Sequence, residues 1–147
     1  MQDEQSYSEP FPNFFIVGAA KSGTTSLAFY LEQHPEVFIS PLKEPYFLSS
    51  QFMDKDLPPG GIGDEWARNF VISNLDEYTS LFRHVKNEKA IGEATPGYLY
   101  YYKRVIPKMK QLFGDVKIII VLRNPVSRAF CAYRHLVRDM RETGSFE

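Results

Sequence analysis

The chain has one cysteine, Cys131, which excludes a disulfide within it. No apolar run approaches the roughly 20 residues that a bilayer-spanning helix needs, and no charged, then apolar leader stands at Met1, Gln2, Asp3, Glu4 and Gln5. A cytoplasmic protein without a membrane partner is the simplest expectation. Lysine and arginine total 17 against 18 acidic residues, for a formal net charge of −1, and no basic run stands out. A nucleic-acid partner is therefore not expected, because a polyanion calls for a basic surface. No group of His, Cys, Asp and Glu has metal-ligand spacing, and no acidic residue is placed as a Walker-type magnesium holder, so no metal is expected. Repeats, heptads and low-complexity tracts are also missing. What remains is a chain of 147 residues, 44% of them hydrophobic, enough for the core of one domain.

Strands and helices alternate along it. Residues 1–11 are polar and read as a flexible N-terminal segment. The apolar run Phe14, Phe15, Ile16 and Val17 reads as a strand, followed by a helix from about Thr24 to Gln33 that His34 and Pro35 stop. Val37, Phe38 and Ile39 fit a second strand, and Pro41 and Pro45 are expected to keep the next stretch extended. Residues 49–64, with Pro58, Pro59, Gly60 and Gly61, read as a long loop. Asn74 caps a helix bearing Leu75, Tyr78, Leu81 and Phe82 on one face. A short strand over 89–93 precedes a helix over about 98–112. Residues 116–122 read as a buried strand, and Pro125 is well placed as the first residue of the last helix. The alternation predicts an α/β fold of three layers with a central parallel sheet, whose ligands gather at the carboxyl ends of the strands.

Two strands end in informative sequences. After the first come Gly18, Ala19, Ala20, Lys21, Ser22, Gly23, Thr24, Thr25 and Ser26. Glycines at 18 and 23 allow a tight turn whose N–H groups approach an anion, and the following helix points its positive end at the same place. The spacing is that of a P-loop, but Thr24 stands where a nucleotide triphosphatase has its lysine, and Lys21 lies inside the loop. After strand 116–122 come Arg123, Asn124, Pro125, Val126, Ser127, Arg128, Ala129, Phe130 and Cys131.

Together these segments resemble the sulfotransferase family that uses 3′-phosphoadenosine 5′-phosphosulfate (PAPS), over most of residues 12–140. The resemblance implies a P-loop-like fold and transfer of a sulfuryl group from PAPS to an acceptor hydroxyl. It implies that Lys21, Ser22, Gly23, Thr24, Thr25 and Ser26 hold the 5′-phosphosulfate, with Lys21 on the leaving oxygen, and that Arg123 and Cys131 hold the 3′-phosphate. Cys131 stands where the family usually has serine, and a thiol is the weaker donor. Domains of this family run longer than this chain, and their later motif that closes over the nucleotide is not found. Residues 12–147 are therefore expected to be the N-terminal portion of a single sulfotransferase domain, with the C-terminal part missing.

Glu44, within Lys43, Glu44, Pro45 and Tyr46, is the first choice for the acceptor base, held extended by Pro45. It matches a glutamate in a similar segment of the carbohydrate-acting branch, so a small-molecule or carbohydrate-like acceptor is expected. Lys43 and Glu93 are expected to line the acceptor side; a Lys43–Glu44 surface pair is the plainer alternative. His135, four residues after Cys131, is open between catalysis and a structural hydrogen bond. Arg128 reads as structural, paired with Glu93, and His34 and His84 as ordinary helix-end residues. Tyr98, Tyr100, Tyr101 and Tyr102 read mainly as packing residues, and Trp66 is ambiguous between packing and acceptor contact. Two other functions stay open: a P-loop nucleotide kinase or triphosphatase, and a nucleotide-binding module without turnover. The acceptor's identity and the oligomeric state are not readable.

Overall fold

A computed structural model describes residues 11–52 and 71–146. Trp66, the proline–glycine stretch at 58–61 and nearly all of the N-terminal segment 1–11 lie outside them. Four strands, β1 (Phe14–Gly18), β2 (Val37–Ile39), β3 (Ala90–Ala94) and β4 (Lys117–Ile120), form one parallel sheet in the order β2-β3-β1-β4. Helices α1 (Thr24–Glu32), α2 (Leu75–Ser80), α3 (Tyr102–Phe113) and α4 (Pro125–Arg138) alternate with them.

Side chains alternate across a strand, and β1 shows what that does to the core. Phe14 and Ile16 point to one face, where they pack with Ala28 of α1, Ile39 and Ala94. Phe15 and Val17 point to the other, joining Phe47, Leu48, Tyr78, Phe82, Tyr98, Val105 and Met109. All of β1 is buried, so the loop that follows it is anchored to the most rigid part of the sheet.

Three local expectations change. The helix expected over about 98–112 is a 3-10 turn, Pro96–Leu99, followed by α3, because Pro96 begins a separate tight turn and Tyr101 lies between the two. The strand expected to be buried over 116–122 is shorter and largely exposed. Among the described residues β4 pairs only with β1, and Ile118 and Ile120 are 44% and 49% exposed. Helix α4 likewise buries no residue. Finally, the stretch after β2 is not extended. Glu44 and Tyr46 have φ of 57° and 53°, in the left-handed region, where they flank Pro45.

Candidate active site

Helix α1 begins without a cap. Its N-cap position is Gly23, with φ of 100°, which an L side chain adopts only with strain, and no side chain accepts from the first turn. The first N–H groups of a helix have no partner within it, so those of α1 are offered to whatever lies in the loop. The Ser22 hydroxyl is buried there and, among the described residues, has no hydrogen-bond partner. A buried hydroxyl without a partner is costly; an anion in the loop would satisfy it. Helix α4 differs at this point. Asn124 accepts from the N–H groups of Val126 and Ser127 at 3.1 and 3.2 Å, and so caps its own helix.

The two motifs meet. Ala19 N–H donates to Val121 O at 2.8 Å and Val121 N–H to Gly18 O at 2.7 Å, which carries β4 alongside the loop. Arg123 Nη1 then reaches the carbonyl of Lys21 at 3.4 Å, with its side chain exposed. Lys21 itself is in the left-handed region, with φ of 63°. Partial burial lowers the pKa of its ammonium, opposed by the Glu44 carboxylate and reinforced by Arg138 and Lys43. Lys21 therefore sits where Glu44, Lys43, Cys131 and Arg138 are all felt. Lys21, Lys43, Arg123 and Arg138 outnumber the carboxylates of Glu44 and Asp139, which leaves this pole positive, as an anionic ligand requires.

Four contacts hold the Lys43–Glu44 segment at the same pole. Glu44 N–H donates to Ala94 O at 3.1 Å, at the end of β3. Lys43 Nζ donates to Thr25 Oγ1 at 2.6 Å and lies 3.2 Å from Glu44 Oε1. Tyr46 donates its hydroxyl to Glu44 Oε2 at 2.6 Å. A Lys43–Glu44 pair does form, but it leans on the first turn of α1.

Two expectations fail here. Glu93 is 0% exposed, and its carboxylate is held by the hydroxyls of Tyr78, at 2.5 Å, and of Thr95. It neither lines an acceptor surface nor pairs with Arg128, which is exposed. Burial raises the pKa of Glu93 to about 7, against these hydrogen bonds. The tyrosines divide as well. Tyr98 is core, but Tyr100 is 80% exposed, because the 3-10 turn ends beneath it. His34 and His84 meet only near neighbours: Glu36 N–H donates to His34 Nδ1, and Arg83 Nε to His84 Nε2.

His135 reaches the site electrostatically but has both ring nitrogens engaged. Nδ1 lies 2.9 Å from Arg138 Nη2, which can only donate, and Nε2 lies 3.3 Å from Asp139 Oδ2. That network assigns the proton to Nε2. Burial, and then the Lys21 charge, lower the pKa of the ring, with Asp139 opposing. It is a neutral imidazole with no nitrogen left free for an acceptor proton. Arg138, Asp139 and Tyr46 were missed in the sequence. Arg138 follows Cys131 by seven residues and His135 by three, a helical-face spacing that marks it.

The chain is similar to known proteins along nearly its whole length. The profile of the Sulfotransferase family matches residues 12–147, and the chain belongs to that family. The membrane-associated sulfotransferase kil1 of Dictyostelium discoideum is 33% identical over 135 residues, 91% of this chain and 25% of kil1. Human heparan sulfate glucosamine 3-O-sulfotransferase 3B1 is 28% identical over 141 residues, 95% of this chain and 30% of that enzyme. The chain thus spans under a third of the length of these relatives. A crystal structure of a sulfotransferase from Alicyclobacillus acidocaldarius superposes with a TM-score of 0.82 at 50% identity, covering 92% of this chain and 54% of that one. The central parallel sheet is therefore that of a sulfotransferase.

Proposed function

We propose that this protein is a sulfotransferase that moves a sulfuryl group from PAPS to an acceptor hydroxyl, with a carbohydrate-like acceptor favoured. One observation carries the reading: an uncapped helix start and a buried Ser22 hydroxyl, unpartnered among the described residues, surround a loop whose lysine feels the Glu44 charge. The relatives named for heparan sulfate add support for a sugar acceptor.

The residues fit the donor. Ser22, Gly23, Thr24, Thr25 and Ser26 would hold its 5′-phosphosulfate through N–H groups and hydroxyls, and Arg123, with Cys131, its 3′-phosphate. When bound, PAPS supplies the sulfuryl group and a phosphate leaving group. Lys21 provides a fixed positive charge where negative charge grows on the leaving oxygen. Glu44 takes the acceptor proton at a carboxylate oxygen, since it is the carboxylate that Lys21 and Lys43 both feel, whereas His135 has no free nitrogen. Lys43 lies between Thr25 of α1 and the Glu44 carboxylate and so links cradle and base.

A P-loop kinase would need a lysine at the position of Thr24. Calorimetric titration of the protein in EDTA separates the two readings. Adenosine 3′,5′-bisphosphate binds without divalent metal, and more tightly than ATP, if the cradle and Arg123 supply the positive field. A requirement for magnesium, or a preference for ATP, refutes the proposal.

A further inference from the structure

Tyr46 donates to the carboxylate of Glu44, and its role rests on the reading of Glu44 as acceptor base. A carboxylate base needs a fixed orientation, yet the last torsion of a glutamate is broad and soft. Lys43 is a poor anchor for it, being a half-exposed group on a flexible stem. Tyr46 is a better one. Its ring packs over Gly97, where a Cβ would come within 2.9 Å of Cε1, so the absence of a side chain at 97 makes the seat for the ring. Its backbone, like that of Glu44, is held in the left-handed region, a conformation that persists only where the surroundings enforce it and that gathers at functional sites. Gly97 lies in the 3-10 turn that begins two residues after β3, and Glu44 N–H is bonded to Ala94, the last residue of β3. Base and anchor are thus referred to the same strand end.

We propose that Tyr46 is a positioning residue for sulfuryl transfer: its phenol, seated on Gly97, pins Glu44 Oε2 and so aims the carboxylate at the acceptor hydroxyl. A carboxylate has about four lone-pair sites. Tyr46 takes one and Lys43 approaches another, which leaves acceptor capacity for the incoming proton. Burial and the Glu44 charge raise the pKa of the phenol far above its ordinary value, so it stays a donor throughout the working range. The other groups around this pair are Lys21, Lys43, His135 and Tyr101.

Tyr46→Phe keeps the ring and removes the donor. In the full-length enzyme kcat falls roughly tenfold, the cost of losing one hydrogen bond to a charged group. The donor KM stays within about twofold, because the nucleotide cradle is untouched. A packing role alone would lower stability without a kcat-selective loss. Gly97→Ala, which displaces the ring without deleting the phenol, gives the same kcat-selective loss and serves if Tyr46→Phe folds poorly. Turnover close to wild type in both variants overturns the inference. Glu44→Gln in the same assay separates the two failures: if it is inactive while both variants are normal, only the role of Tyr46 falls, and if it is active, the base assignment falls with it.

Discussion

Glu93 should make the protein less stable as pH rises from 4.5 towards neutrality, the reverse of most carboxylates. Its pKa is about 7 in the folded protein, against an ordinary 4.5, because burial outweighs the hydrogen bonds from Thr95, Tyr78 and Tyr98. Below pH 4.5 the carboxyl is protonated in both states and contributes no slope. Between 4.5 and about 7 the folded state keeps the proton and the unfolded state loses it, so stability falls by up to about 1.4 kcal/mol for each pH unit. The total is on the order of 3 kcal/mol, and above about pH 7 the term is flat. That is a large share of the roughly 5–15 kcal/mol that holds a domain together. Glu93→Gln removes the titration while keeping an acceptor for the Tyr78 hydroxyl. Urea denaturation followed by circular dichroism at pH 5, 6, 7 and 8 reads the effect, with the difference between wild type and variant isolating Glu93 from the other titrating groups. The wild type should lose about 2–3 kcal/mol relative to the variant between pH 5 and 8. Parallel curves for the two proteins would show that the carboxylate is as well solvated by its hydroxyls as by water, and the burial argument would be wrong.

Lys21→Ala is expected to lower turnover more than nucleotide affinity, since its contact strengthens as charge grows on the leaving oxygen. Arg123→Ala should show the opposite bias, a loss of bisphosphate affinity larger than the loss in kcat; equal effects in both variants, read by calorimetry and initial rates, contradict the division of roles. Cys131→Ser should leave the melting temperature near wild type and the bisphosphate Kd unchanged or lower, because a hydroxyl is the better donor in nearly the same volume. A clear rise in Kd would mean that residue 131 does not face the nucleotide.

Much of this was legible in the sequence for identifiable reasons. The strand, loop and helix at 14–32 are marked by an apolar run, two glycines and a run of hydroxyls, all local signals, and they sit where expected. Asn74 was readable as a cap, and its side chain accepts from Asp76 and Glu77 N–H groups. The failures depended on tertiary context. Pro45 disfavours a helical residue before it, yet Glu44 takes a positive φ instead of an extended one, with its N–H bonded to Ala94 O and its carboxylate accepting from the Tyr46 hydroxyl. Glu93 looks like a surface acid at a strand end until Tyr78, from a helix 15 residues earlier, closes over it. The apolar run at 116–122 reads as buried because periodicity reports composition, whereas its exposure depends on which elements cover β4.

The central claim is that a cationic loop and an aimed carboxylate form one sulfuryl-transfer site. It is tested most directly by following radiolabelled sulfur from PAPS into hydroxyl acceptors, sugars included, with wild type and Glu44→Gln side by side. Wild type should label a hydroxyl acceptor. Glu44→Gln should do so at least about a hundredfold more slowly with unchanged bisphosphate affinity, as removal of a general base requires. Transfer by the variant within a few-fold of wild type would contradict the account.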